Sequence, residues 1–177
     1  MKLDLSPALD RPDLLAGPVV AFLRSWPEHA GTVQVAPIDA DVADTAAFCA
    51  AYDVGLDESA NCVVIAGRRE GEVRYAACLV LATTRADVNG TVRRYLNARK
   101  ASFASMDDAV AATGMEYGGI TPIGLPKEWP ILIDSRVVAM PQAVVGSGVR
   151  RSKIVLSGAA LADLPGAEVI ENLAKPA

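Results

Sequence analysis

Ten residues, Tyr117 to Pro126, constrain this chain more than any other stretch. Tyr-Gly-Gly-Ile-Thr-Pro-Ile-Gly-Leu-Pro holds three glycines and two prolines. Glycine reaches backbone conformations that a Cβ forbids and lets other groups come close to the main chain. Proline fixes φ and pushes the preceding residue, here Thr121 and Leu125, toward extended geometry. Neither a helix nor a regular strand can run through such a segment. It must be a stiff, sharply turning connection. It serves either as a plain corner or as a loop that aims peptide N–H and C=O groups at a small ligand.

The elements on either side alternate between the two periods. Leu14, Leu15, Val19, Val20, Phe22 and Leu23 recur mostly every three or four residues, which predicts a helix from Asp13 to Trp26 with Pro18 in its first turn. Residues 1–12 show no period and read as a loosely held lead-in. Thr32 to Ile38 alternates as a strand, and Asp44 can cap a helix from Thr45 to Tyr52. Asn61–Ala66 and Val73–Ala82 read as an antiparallel hairpin around a polar turn, Gly67 to Glu72. Helices follow over Asp87–Asn97 and over Asp107–Thr113, the latter between Ser105 as cap and Gly114 as terminator. Beyond the loop come Ile131–Ile133, Val137–Met140, Gln142–Val145 and Ser152–Leu156 as strands. A short helix near Leu161 and an edge strand, Ala167–Ile170, complete the chain. With strands in the majority and several directly connected, the fold class is α+β, a mixed, largely antiparallel sheet with packed helices, in one domain spanning 1–177.

Composition narrows the chemistry. Hydrophobic residues make up 51% of the chain, enough for a real core. Aromatic residues are only 5%, which argues against a module that reads single-stranded nucleic acid mainly by stacking. With a net charge of -4, any nucleic-acid partner must be met by local basic clusters. Three such clusters exist: Arg68-Arg69 with Arg74, Arg93-Arg94 with Arg99-Lys100, and Arg150-Arg151 with Lys153. The third directly follows Gly146-Ser147-Gly148, so a flexible turn and two arginines there could meet a phosphate. Cys49, Cys62 and Cys78 have no CxxC spacing and read as reduced, buried thiols of a cytoplasmic protein. No stretch has the ~20 apolar residues of a membrane span.

Side-chain catalysis has few candidates. His29 is the one histidine, no carboxylates have metal-ligand spacing, and no nucleophile elbow surrounds any serine. No metal and no cofactor is expected. A reaction on this chain would rest on backbone dipoles, bound water or the substrate's own groups, which points back to the glycine-rich loop.

The order of motifs resembles the YbaK/ProX family, editing domains related to the insertion domain of bacterial prolyl-tRNA synthetase. Thr113-Gly114-Met115-Glu116-Tyr117-Gly118-Gly119-Ile120-Thr121-Pro122-Ile123-Gly124 is similar to that family's TGY-x-x-GG-x-x-P-x-G signature. Ile131-Leu132-Ile133-Asp134, Val144-Val145-Gly146-Ser147-Gly148 and Ile154-Val155-Leu156-Ser157 follow in family order. The resemblance covers Leu14 to Leu173 and implies a barrel-like editing-domain fold. It also implies hydrolysis of mischarged aminoacyl-tRNA at its aminoacylated 3′ end, with an aminoacyl-tRNA synthetase as a second candidate partner. The G-x-x-x-P loop would hold the aminoacyl end and position water. Gly118, Gly119, Thr121 and Pro122 are then the catalytic candidates with Asn61, and Ile120, Asp134, Gly146, Ser147, Gly148 and Arg150 the substrate-binding ones.

One departure stands out. Many active members carry a lysine at the start of the first hairpin strand, where this chain has Asn61. An amide offers a donor and an acceptor but no charge. Asn61 therefore either bonds a different group or marks a binding module that no longer hydrolyses. Lys127, Arg150 and Lys153 are the candidates to replace the charge.

Overall fold

The computed structural model describes Met1–Ala177. In chain order the elements are β1 (Ser6–Pro7), α1 (Gly17–Arg24), α2 (Pro27–Ala30), β2 (Gln34–Pro37), α3 (Thr45–Tyr52), β3 (Ala60–Arg69) and β4 (Glu72–Leu81). There follow β5 (Thr84–Ala86), a π-helical segment Val88–Val92, α4 (Arg93–Tyr95), β6 (Lys100–Phe103) and α5 (Met106–Thr113). Last come β7 (Ile131–Asp134), α6 (Ser135–Val138), β8 (Ala143–Gly146), β9 (Ser152–Leu156), α7 (Gly158–Ala162), β10 (Ala167–Ile170) and β11 (Ala174–Pro176).

The strands form a four-stranded sheet ordered β1-β2-β9-β8, a five-stranded sheet ordered β10-β7-β4-β3-β6, and the pair β11-β5. Every pairing is antiparallel except β10 with β7 and β4 with β7. The mixed, largely antiparallel α+β reading therefore holds. Its barrel-like part does not, because no sheet closes on itself. The two larger sheets touch through one isolated parallel bridge, Ser59 to Val144, and no ladder extends from it.

Sequence signals explain most boundaries. The β3–β4 hairpin is tighter than expected: Arg69 pairs with Glu72, leaving only Glu70 and Gly71 in the turn. Both have positive φ, 52° and 80°, the type I′ geometry whose twist matches the flanking strands. Ser105 Oγ accepts the Asp108 N–H to start α5, and Gly114 ends it at φ 68°. The expected lead-in supplies the outer strand of the first sheet, with Ser6 opposite Val35 and Ala8 fully buried. Its pairing energy comes from backbone groups, which leave no trace in side-chain periodicity.

Val137–Met140 is a correction. These residues were expected as a strand from their β-branched valines, but Ser135–Val138 is a helical turn. Asp134 decides it: its Oδ1 accepts the Arg136 N–H at 2.9 Å, an N-cap bond that outweighs the propensity of two valines.

The main core lies between the first sheet, α1 and the inner face of the second sheet, and includes Val19, Leu23, Leu79, Ile133, Ile154 and Leu161. A second core, with Ile65, Val92, Leu96 and Leu132, packs the 88–98 segment on the other face.

Asp134 ties several of these parts together. Its side chain is buried and receives Arg136 Nε and Nη2 (both 2.9 Å) and the Ala174 N–H (3.0 Å). Burial alone would raise its pKa. The hydrogen bonds from Arg136 and Ala174 outweigh that and hold it below the usual 3.8. A depressed folded-state pKa stabilises the fold above the unfolded value, and the effect is lost as pH falls through the folded one. Asp134→Asn should therefore cost about 2–3 kcal/mol in urea unfolding at neutral pH. The gap to the wild type should narrow as pH drops below about 4. A variant of unchanged stability would show that the carboxylate is not the tie described.

Candidate active site

Where the two sheets part beyond the Ser59–Val144 bridge, a cavity of about 430 Å³ opens. Ala60 to Val64 of β3 form one wall. Gly146 of β8 and Lys153 of β9 contribute from the other sheet, and Tyr117, Gly118 and Ile120 bring in the glycine-rich loop. Asp44 and Thr45 at the start of α3, Phe103 of β6 and Arg150 complete the lining used below.

The loop is fastened backbone to backbone. Gly148 N–H donates to Gly119 O at 2.7 Å, and Glu116 N–H donates to Gly148 O at 2.9 Å. The strands leave no room for side chains at the crossing. A Cβ on Gly146 would lie 2.6 Å from both Gly119 O and Ile120 O, and one on Gly119 would lie 2.6 Å from Val149 O. Gly118 sits at φ 89°, where L side chains are strained, and a Cβ there would run into the Arg150 guanidinium. Arg150 is itself held: its N–H donates to Glu116 Oε1 (2.7 Å), Nη1 to Tyr117 O (3.3 Å) and Nη2 to Ala40 O (3.1 Å). The guanidinium thus bridges the loop to the segment before α3.

Five of the eleven residues singled out from the sequence meet at this cavity: Asn61, Gly118, Ile120, Gly146 and Arg150. Six do not line it. Gly119 lies behind Gly118 against Val149. Pro122 faces a separate hollow of about 460 Å³ beside Phe22, Trp26 and Lys127 of the opposite loop face. Thr121 is fully buried and its Oγ1 has no hydrogen-bond partner. Ser147 is buried, receiving Ser152 Oγ at 2.6 Å, and Gly148 packs on Ala16 and Val19. Asp134 is committed to α6 and Ala174. These six shape or brace the site from behind.

Asn61 has a partner: Thr45 Oγ1 donates to its Oδ1 at 2.8 Å, leaving the amide N–H₂ for a ligand. Among the cations named as replacements for the charge, Lys127 is remote, while Arg150 and Lys153 line the same cavity as Asn61. Lys153 is the unusual one. It is 8% exposed, has no carboxylate within ion-pair distance, and makes one long bond, Nζ to Ala43 O at 3.4 Å. Its ammonium lies 5.1 Å from the centre of the Phe48 ring. Burial pulls its pKa below the usual 10.5; Cys49 and Asp44 pull it up and Arg150 pulls it down, but burial prevails. A dry, unpaired cation is costly to keep. Sequence reading named Lys153 only as one of three candidate charges, and nothing in Ser152-Lys153-Ile154 marks all three as buried.

Cys62 also lines the cavity. Burial pushes its thiol well above the ordinary cysteine range, so at neutral pH it is not a thiolate. His29 lies elsewhere, with Nε2 2.8 Å from Asp163 Oδ2 and its ring packed on Trp26. No group of three or more His, Cys, Asp or Glu side chains is placed to hold a metal ion, and no helix is long and apolar enough to cross a membrane.

Comparison with known proteins places this geometry. The family model described as an aminoacyl-tRNA editing domain matches residues 39–164, which carry the hairpin, the loop and both strands behind it. The chain belongs to the aminoacyl-tRNA editing domain family. Solved structures agree on the fold. A protein proposed as a trans-editing enzyme for prolyl tRNA synthetase superposes with a TM-score of 0.73 at 20% identity, over 94% of this chain and 96% of that one. A scaffold from computational epitope grafting gives 0.74 at 22% identity, covering 88% and 95%. A hypothetical protein gives 0.74 at 17% identity, covering 86% and 99%.

Two stability measurements check the site. Lys153→Met, which removes the unpaired buried charge while keeping volume, should leave the protein as stable or raise stability by about 1–3 kcal/mol. That gain should be full at neutral pH and fade as pH rises from the depressed lysine pKa toward 10.5. A clear loss of stability would mean that the cation is satisfied in a way the geometry does not reveal. Thr121→Val should likewise be neutral or stabilising by up to about 1 kcal/mol, because it removes an unbonded buried hydroxyl. Marked destabilisation would show a hidden partner for Oγ1.

Proposed function

We propose that the protein hydrolyses the ester linking an amino acid to the 3′-terminal ribose of a mischarged tRNA, acting in trans to the synthetases. The observation that carries this reading is the convergence of Gly118, Gly146, Asn61, Arg150 and Lys153 on one cavity in a chain of the editing-domain family. About 430 Å³ lies within the usual ~300–1,000 Å³ range of small-ligand sites, room for an amino acid and its ribose.

The mechanism follows from what the lining offers. An aminoacyl ester is activated, so holding it and a water in place, with donors aimed at the developing oxyanion, supplies much of the acceleration. Loop backbone at Gly118 and the β8 backbone at Gly146 can approach the ester because neither carries a Cβ. Asn61 keeps a free amide donor for the substrate. Lys153 carries the charge that a lysine at position 61 would have supplied, from the neighbouring sheet. Ile120 and Cys62 are the apolar side chains that limit the amino acid's size. The neutral Cys62 thiol makes a water route more economical than a covalent one.

The uncharged Asn61, already bonded by Thr45, favours a second reading: a module that binds aminoacyl ends without turnover. Incubation with a panel of mischarged tRNAs decides between them. Under the hydrolytic reading at least one aminoacyl-tRNA is deacylated faster than in buffer. Gly118→Val should then abolish the rate, and Lys153→Met should lower kcat/KM at least tenfold although it does not unfold the protein. Asn61→Lys tests whether the two positions substitute for each other, since it should rescue Lys153→Met. Tight binding of aminoacylated RNA with no acceleration for any amino acid would establish the binding module instead.

A further inference from the structure

A cavity that meets a strand on one face is lined by every second residue, because successive side chains point to opposite faces. β3 departs from this rule. Ala60, Asn61, Cys62, Val63 and Val64 all line the cavity, five residues in a row. The cavity therefore meets β3 at its edge, where main-chain groups point.

The register tells which main-chain groups these are. In an antiparallel pair, residues that exchange both hydrogen bonds with the partner alternate with residues that exchange none. Ala82 N–H donates to Ser59 O at 2.9 Å, so with this register Asn61 and Val63 turn their N–H and C=O toward β4. Ala60, Cys62 and Val64 turn theirs the other way. Bonds on the far side have the same phase: Val64 O accepts Ala104 N–H at 2.8 Å, and Arg68 O accepts Arg99 N–H at 2.9 Å. The β3–β6 ladder ends with Ile65 opposite Phe103, and Ser105 then caps α5. A longer β6 would have set a residue opposite Cys62, and the cavity lies there instead. On the other flank the Ser59–Val144 bridge goes no further. Cys62 thus directs an N–H and a C=O at a seat that no strand occupies. Main-chain groups at such a half-buried position call for a partner.

The group that fits this seat carries a donor and an acceptor on either side of one carbon, as an amino-acid residue does. An aminoacyl ester has both, in its α-ammonium and its carbonyl. We propose that the aminoacyl group docks on Cys62 as a one-residue antiparallel strand, its ammonium donating to Cys62 O and its carbonyl oxygen accepting Cys62 N–H. This is strand addition on the smallest scale. It rests on the reading of the cavity as the aminoacyl-ester site, and it gives that site two properties.

The first is a preference for one hand. Residues directly opposite in a pair send their side chains to the same face. An L-amino acid then places its side chain on the face of Cys62 and Val64, where Val64 packs with Ala109 and Ile120. A D-amino acid would send it to the face of Asn61 and Val63. The second property is polarisation of the ester. Water adds to the carbonyl carbon, and the C=O electron pair moves onto the oxygen held by Cys62 N–H. Collapse then breaks the bond to the ribose oxygen, which leaves with a proton from the attacking water. The donor is fixed in β3 and needs no reorganisation during the step.

The test uses the full chain, labelled with ¹⁵N, and three hydrolysis-resistant probes. In these 3′-amino-3′-deoxyadenosine carries an L-alanyl, a D-alanyl or a propionyl group. Alanine is the smallest chiral choice, so size exclusion does not interfere. The L-alanyl probe should bind at least tenfold more tightly than either of the others; the propionyl form lacks one charge-assisted hydrogen bond. On saturation with it, the Cys62 amide proton should move downfield and exchange with solvent at least tenfold more slowly. The Asn61 main-chain amide, which faces β4, should shift less. Asp44, exposed beside the cavity, is the rival partner for an ammonium. The preference for L-alanyl over propionyl should persist in Asp44→Asn, and its disappearance there would assign the ammonium to that carboxylate and overturn the proposal. Equal affinity for the L-alanyl probe and either of the others would overturn it too. So would a Cys62 amide unmoved by bound L-alanyl probe. Each of these results still leaves the cavity as a site for aminoacyl ends. Binding of none of the three probes would overturn the proposal together with that reading.

Discussion

The architecture depends on a junction that is almost not made. Two sheets of four and five strands pack on a shared core, but their backbones pair only between Ser59 and Val144. Continued pairing would merge them into one surface and fill the gap with cross-strand side chains. Instead β3 turns toward β6, and β8 turns toward β9, each taking its hydrogen bonds from a partner in its own sheet. The wedge left between them is the cavity. Backbone donors and acceptors at its edges are satisfied by the loop, whose residues 116 and 119 bond to Gly148. The glycine-rich segment is therefore both a closure for the wedge and one of its walls. Glycines at 119 and 146 permit the required contact at backbone distance.

This explains how much of the molecule was readable in advance. The fold class was legible, because helix caps, alternating strands and the I′ turn act over a few residues. The loop was legible as a stiff connection, and the order of motifs around it pointed to the right family. What failed to show was whatever depends on hydrogen bonds between distant backbones. β1, β5, β6 and β11 pair without a hydrophobic signature, and Lys-Ala-Ser-Phe in β6 has no β-branched residue at all. Val137-Val138 misled for the converse reason. Their side-chain preference was plain, but a carboxylate one residue before the helix had the stronger say.

The site candidates divide along the same line. Residues chosen from the loop and the strand ends arrive at the cavity when their backbone faces it, as with Gly118, Ile120 and Gly146. Those chosen for a polar side chain, Thr121, Asp134 and Ser147, point into the protein and satisfy or strain its interior. Lys153 shows the opposite pattern. It sits between two buried residues of β9, where a charge finds no carboxylate, and the fold tolerates its cost beside an aromatic ring and a carbonyl. The uncharged Asn61 and the unpaired Lys153 line one space, contributed by different sheets. Neither fact is meaningful from sequence without the wedge that joins them.

Cys62 adds a chemical consequence. Under the hydrolytic reading the cavity meets an acylating agent in its own substrate, and a thiolate within reach would be converted to a thioester. Cys62 is half-buried in that wall, and the apolar groups around it raise its pKa, so the thiol stays protonated where it lines the cavity. One physical effect, the cost of placing charge against apolar groups, thus lowers the pKa of Lys153 and raises that of Cys62 on two walls of the same cavity.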